Sequence, residues 1–161
     1  MQYLKYFLAV LLLWGLWGCA EPTYTKQNSA YIVLKTPAFK YADMGFIYEN
    51  SDELKAEIYG SGQALMTLNI SKDSVCMSRL QCMPKSTFNT QVLSSDYPAD
   101  TIENIFRGKA VFNGANMSTK SNGFTQKIKN PGKYNIEYSV LNNEIVFRDT
   151  INEILIKVIK Q

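Results

Sequence analysis

The sequence predicts a mainly β fold with a short helical insert, a curved antiparallel sheet capped by helices. Three observations carry this. Apolar and polar residues alternate through most of the chain from Tyr31 onward, the period of a strand with one buried face. The 10 tyrosines and 8 phenylalanines are aromatic residues that favour strands over helices. The alternation gives way to helical spacing in one central stretch, between Pro84 and Gly108.

The chain opens with MQYLKYFLAVLLLWGLWGC, a weakly basic start followed by an apolar run from Tyr6 to Trp17. That run is shorter than the roughly 20 apolar residues of a comfortable membrane span. It has the layout of a secretory signal over residues 1–18. Its end, Leu16-Trp17-Gly18-Cys19, resembles a bacterial lipobox, in which the cysteine becomes the lipidated first residue of the mature chain. Several acyl chains on one cysteine anchor a protein firmly, at about 0.8 kcal/mol per buried methylene. Ala20, not aspartate, follows the cysteine. By resemblance to enterobacterial lipoproteins, this implies an outer-membrane destination in the bacterial cell envelope. Residues 19–30, polar and without apolar period, read as a lipidated tether, and residues 31–161 as a single β-rich domain.

Within that domain YIVLKT is the first expected strand. In FKYADMGFIYE, Ala42, Met44, Phe46 and Tyr48 share one face. ELKAEIY, QALMTLNI and DSVCMS follow, separated by Glu49-Asn50-Ser51-Asp52, Gly60-Ser61-Gly62 and Ser71-Lys72-Asp73, which is turn chemistry. After Pro84, Phe88, Val92 and Leu93 fall at helical spacing. A second helix is expected in YPADTIENIFRG, with Asp100 and Glu103 spaced as a capping box and Gly108 as the stop. The polar stretch NGANMSTKSNG precedes FTQKIK, KYNIEYSVL, EIVFRD and EILIKVIK, with Asn142-Asn143 as a tight hairpin turn. The opposite face keeps Lys35, Lys55, Glu57, Asn69, Asn135, Glu137, Arg148 and Lys157 in water.

Composition excludes several function classes. The 17 Lys+Arg and 14 Asp+Glu are nearly balanced and scattered, with no basic stripe for nucleic acid. The chain has 0 histidines, which removes the commonest general base and the usual zinc ligand. Asp96, Asp100, Glu103 and Glu144 form no recognisable acid/base pair, and no nucleophile elbow, phosphate loop or dinucleotide fingerprint is present. No enzyme activity, cofactor or metal is expected.

Cys76 and Cys82 are separated by five residues, which is not a metal or redox CxxC spacing. In an exported protein the expectation is a structural disulfide worth about 2 kcal/mol by the loop-length relation. It would hold Met77, Arg79 and Leu80 at a rigid hairpin tip, a candidate contact for a membrane or a partner.

The layout resembles the LolA/LolB lipoprotein carriers. The resemblance rests on the lipobox, on YIVLKTPAFKYADMGFIYE, on LKAEIYGSGQALMTLNI and on YPADTIENIFRGKAVF. It implies an open half-barrel capped by helices, with an apolar cavity that takes the acyl chains of lipoproteins, and a periplasmic carrier as partner. Phe39, Tyr41, Met44, Phe46, Met66, Leu68, Ile102, Ile105, Phe106, Tyr134, Ile136 and Tyr138 are the side chains expected in the core or lining that cavity. In LolB an apolar side chain protrudes from the turn between the paired strands, whereas Gly60-Ser61-Gly62-Gln63 offers none here. The alternative expectation is a structural or adhesive surface lipoprotein with a filled β core, binding protein through its loops.

Overall fold

The computed structural model describes residues 23–78 and 81–161. Residues 1–22, with the expected signal and the Cys19 lipidation site, lie outside the described residues, as do Arg79 and Leu80 of the expected hairpin tip.

The protein is one large curved antiparallel sheet that does not close into a barrel. Six strands come first: β1 (Lys26–Lys35), β2 (Lys40–Glu49), β3 (Leu54–Gly60), β4 (Gln63–Ile70), β5 (Ser74–Met77) and β6 (Gln81–Pro84). Helices α1 (Lys85–Val92) and α2 (Thr101–Arg107) and a 3-10 turn at Phe112–Gly114 follow. The chain returns as β7 (Met117–Lys120), β8 (Gly123–Asn130), β9 (Tyr134–Leu141), β10 (Glu144–Asp149) and β11 (Ile154–Lys160). The order across the sheet is β6-β5-β4-β3-β2-β1-β11-β10-β9-β8-β7. Every neighbour but one is thus a sequential hairpin. The exception, β1 against β11, joins the two halves of the chain, with Ile32 opposite Val158 and Leu34 opposite Ile156.

One face of this sheet is largely apolar. Ile32, Leu34, Ile47, Leu54, Ala56, Ile58, Leu68, Phe147, Ile156 and Val158 are fully buried, and Phe88, Ile102, Ile105 and Phe106 of the helical segment join the same cluster. A half-barrel with an apolar concave face needs a cover, and the two short helices supply it.

Four details depart from the sequence reading. First, residues 26–30, expected as part of a tether, belong to β1, which starts at Lys26. The ladder with β11 stops at Ala30 opposite Lys160, with one further bond from the Gln161 N–H to the Ser29 carbonyl at 3.0 Å, so residues 26–28 pair with β2 alone. A strand with solvent on one side needs no apolar alternation. Second, β7 falls within the polar stretch, as a fully exposed edge strand.

Third, the capping box does not form. Asp100 stands at the N-cap of α2 without a side-chain cap bond. It accepts a bond from Asn104 instead, while Glu103 turns to Lys85 and Arg107. Gly108 does end the helix, at φ 67° in the left-handed region.

Fourth, β2 presents the other face inward. Gly45 pairs with Ala30 and Met44 with Tyr31. The face that buries Ala30 therefore takes Gly45 and Ile47, and Met44 and Phe46 point outward. A Cβ on Gly45 would run into the Glu57 carbonyl and crowd Ile32. The missing side chain is what lets β2 and β3 approach so closely.

Candidate functional site: a pinned lid on an open sheet

The lid begins with Pro84, which fixes the start of α1. Phe88 and Val92 place one face of α1 in the core, and Leu93 follows just after it. Ile102, Ile105 and Phe106 do the same for α2. Each of the last three, like Phe88, is 0% exposed. A side chain with no accessible surface touches no space large enough for water. The lid side chains therefore fill the room between helices and sheet.

Polar contacts hold the lid at both ends of the sheet. At the end where β2 turns into β3, Glu103 accepts from Lys85 Nζ at 2.6 Å and from Arg107 Nε at 2.8 Å. Arg107 Nη1 donates to the Asn50 carbonyl at 2.9 Å and lies 3.6 Å from Glu49. Burial alone would raise the Glu103 carboxyl, but the hydrogen bonds and charges of Lys85 and Arg107 outweigh it and hold it below its ordinary value.

At the other end, the Tyr97 hydroxyl donates to Asp149. Asp149 also accepts from the backbone N–H of Asn135 at 3.0 Å and Ile151 at 2.9 Å, and from Asn152 Nδ2 at 2.6 Å. Burial would raise Asp149, yet these donors together hold it below the usual carboxylate range. The Tyr97 hydroxyl is pushed well up, by burial first and by Asp149 second. Its ring packs edge-on against Phe112, Tyr134 and Phe147.

Further pins tie the segment after α2 to the sheet. Gln126 exchanges hydrogen bonds with the backbone of Val111 and reaches the Ala115 carbonyl. The Tyr138 hydroxyl donates to the Lys109 carbonyl at 2.9 Å. Asn89 donates to the carbonyls of Tyr97 and Pro98 at 3.2 and 2.8 Å. With both amide hydrogens committed, its buried Oδ1 has no donor among the described residues.

Of the side chains expected in the core or cavity, Met66, Leu68, Ile102, Ile105, Phe106, Ile136 and Tyr138 are buried in the core, and Phe39, Tyr41 and Tyr134 pack against its margin. Met44 and Phe46 belong instead to the convex face, for the register reason given above. There Phe46 joins Tyr24, Tyr48 and Tyr59 in a satellite cluster of rings 5.6–6.2 Å apart, with the Lys55 ammonium 4.3 Å over Tyr48.

The Cys76–Cys82 disulfide is present, joining directly paired residues of β5 and β6. Met77 is half-buried against the core margin. Among the described residues no cluster of acidic or sulfur side chains could hold a metal.

From the sequence, Glu103 and Tyr138 were named in other roles, and Lys85, Asn89, Tyr97, Arg107, Gln126 and Asp149 were missed as pins. A usable signal existed for two of them. Gln126 and Asp149 occupy inward positions of strands whose other inward residues, Ile128, Ile145 and Phe147, are apolar. A polar residue at an inward position needs a partner.

Comparison with protein-family models and with curated proteins finds no match for this chain.

Proposed function

We propose that this protein is a lipid-anchored component of the bacterial cell envelope, held in the outer membrane through Cys19, that binds acyl chains or another apolar ligand beneath its helical lid and serves in the localisation of other lipoproteins. The observation that carries this reading is the unclosed sheet: an apolar concave face is covered by two short helices and not by further strands. Helices of 8 and 7 residues are too short to be stable alone. Their attachment depends on the side chains they bury and on the pins, so one cooperative displacement would open the face. An acyl chain then replaces lid side chains of the same chemistry. The orphan Oδ1 of Asn89 supports the reading, since it offers an acceptor for a hydroxyl or amide donor next to an acyl chain.

The chemistry asked of the protein is binding without bond-making. The ligand gains burial and the lid loses it, so the exchange is close to balanced and reversible. Such balance suits a protein that receives cargo from a periplasmic carrier and releases it. Mass spectrometry of lipid bound to a Cys19→Ala form, purified without detergent, tests binding. Depletion in the source cell tests the role. Stoichiometric bound acyl lipid and mislocalised lipoproteins are expected. A lipid-free protein together with normal lipoprotein distribution overturns the reading.

Complete burial of Phe88, Ile102, Ile105 and Phe106 favours a second reading. The interior is then a permanent core, and the protein is a structural or adhesive surface lipoprotein that binds protein through its loops. A lid that never opens while the protein stays folded is the signature of that alternative.

A further inference from the structure

The chain enters the domain at a defined place. Asn50 Nδ2 donates to the Thr23 carbonyl at 3.1 Å, and both the N–H and the hydroxyl of Thr25 donate to the Glu49 carbonyl. Between them the Tyr24 ring lies 5.6 Å from that of Tyr48. The domain therefore grips its own N-terminal segment from Thr23 onward, at the end of the sheet where β2 turns into β3.

Four residue steps separate Cys19 from Thr23. Fully extended, they span about 14 Å. Strand β2, with its 10 residues, is about 33 Å long. The gripped end can therefore stand no further than about 14 Å from the anchoring lipid, a distance well short of the height of the sheet.

The two ends of the sheet differ in chemistry. The same end of the sheet carries the hairpin turns at residues 50–53, 71–73, 121–122 and 142–143, all polar, with charges of both signs in Asp52, Glu53, Lys72 and Asp73. No large exposed apolar side chain lies in them. The opposite end carries the turns at 36–39, 61–62 and 150–153, with Ile151 43% exposed and Leu65 nearby at 54%. A hydrated end of mixed charge suits the headgroup layer, whereas burial in acyl chains would strand its charges.

We infer that the end formed by turns 50–53, 71–73, 121–122 and 142–143 rests on the headgroup layer of the membrane that holds the Cys19 lipid, and that the end bearing Leu65 and Ile151 is presented to the aqueous side. This rests on the lipidation of Cys19 proposed above. The membrane contact is superficial, and the short leash, not charge, sets the orientation. Partners then meet the end that carries Leu65 and Ile151.

The test uses the full acylated chain in liposomes of phosphatidylethanolamine and phosphatidylglycerol that contain a lipid with a headgroup spin label. A thiol-reactive fluorophore is placed at S51C or at S61C, in the turns at the two ends, with the native disulfide kept. Quenching several-fold stronger at position 51 than at 61 is expected. Ten Gly/Ser residues inserted between Pro22 and Thr23 should erase most of that difference. Equal quenching at the two positions, or stronger quenching at 61, in a protein whose mass shows the acyl groups overturns the orientation alone. A purified chain whose mass lacks them removes the anchor, and with it both this inference and the anchoring part of the proposed function.

Discussion

Phe106→Ala separates a filled interior from a lined one. Phe106 is 0% exposed and sits on α2 between Ile105 and Arg107, facing the sheet. Burying an aromatic side chain removes on the order of 150–250 Å² from water, which at about 25 cal/mol per Å² is worth roughly 4–6 kcal/mol. Truncation to alanine retains part of that burial and leaves a cavity, so the expected loss is about 3–5 kcal/mol. The assay is urea denaturation of the Cys19→Ala form, followed by tryptophan-independent far-UV circular dichroism. The midpoint should fall while the slope stays near that of the parent. A loss below about 1 kcal/mol would show that Phe106 faces empty or exchangeable space, and the packing derived from its burial would be refuted.

Other outcomes follow from the pins. Tyr97→Phe removes one donor to Asp149 but leaves four other hydrogen bonds on that carboxylate. It should cost about 1.5–3 kcal/mol, the range for a hydrogen bond to a charged group, measured by the same denaturation. Acid should loosen the lid. Glu103 and Asp149 are both held below their ordinary values, so the stability they contribute is complete above their unfolded values, near about 4. It is lost as pH falls through the lower folded values. Denaturation midpoints between neutral pH and pH 3 should therefore drop at the acid end, and the drop should be smaller in Asp149→Asn. An undiminished acid drop in that variant would contradict the assignment. Replacing Cys76 and Cys82 by serine together should cost about 2 kcal/mol and increase hydrogen exchange chiefly in β5 and β6.

The alternation of β1, β3, β4 and β9 through β11 was legible because each has one buried face and one wet face. The two lid helices were legible from Phe88, Ile102, Ile105 and Phe106 for the same reason. Alternation does not say which face is buried when both are apolar. In β2 the set Ala42, Met44, Phe46 and Tyr48 carries more apolar volume than Tyr41, Asp43, Gly45 and Ile47. The bulkier set nevertheless faces outward, because Gly45 must make room for Ile32 and because Phe46 and Tyr48 find partners in Tyr24 and Tyr59.

The pins that tie the lid to the sheet were illegible as pairs because they are not local. Tyr97 and Asp149 are 52 positions apart, and Arg107 and Asn50 are 57 apart. No window of sequence contains both members. Gripping of Thr23 and Thr25 was hidden in the same way, since a polar segment paired on one side looks like a tether.

The most direct test of the account is titration of the folded Cys19→Ala domain with a fluorescent fatty acid, alongside a Glu103→Gln variant whose lid is less firmly pinned. Saturable binding, displaced by unlabelled fatty acid and tighter in Glu103→Gln, is the predicted result. No saturable binding by either protein, with both folded at the temperature of the titration, would contradict the claim that the lid opens to admit an acyl chain.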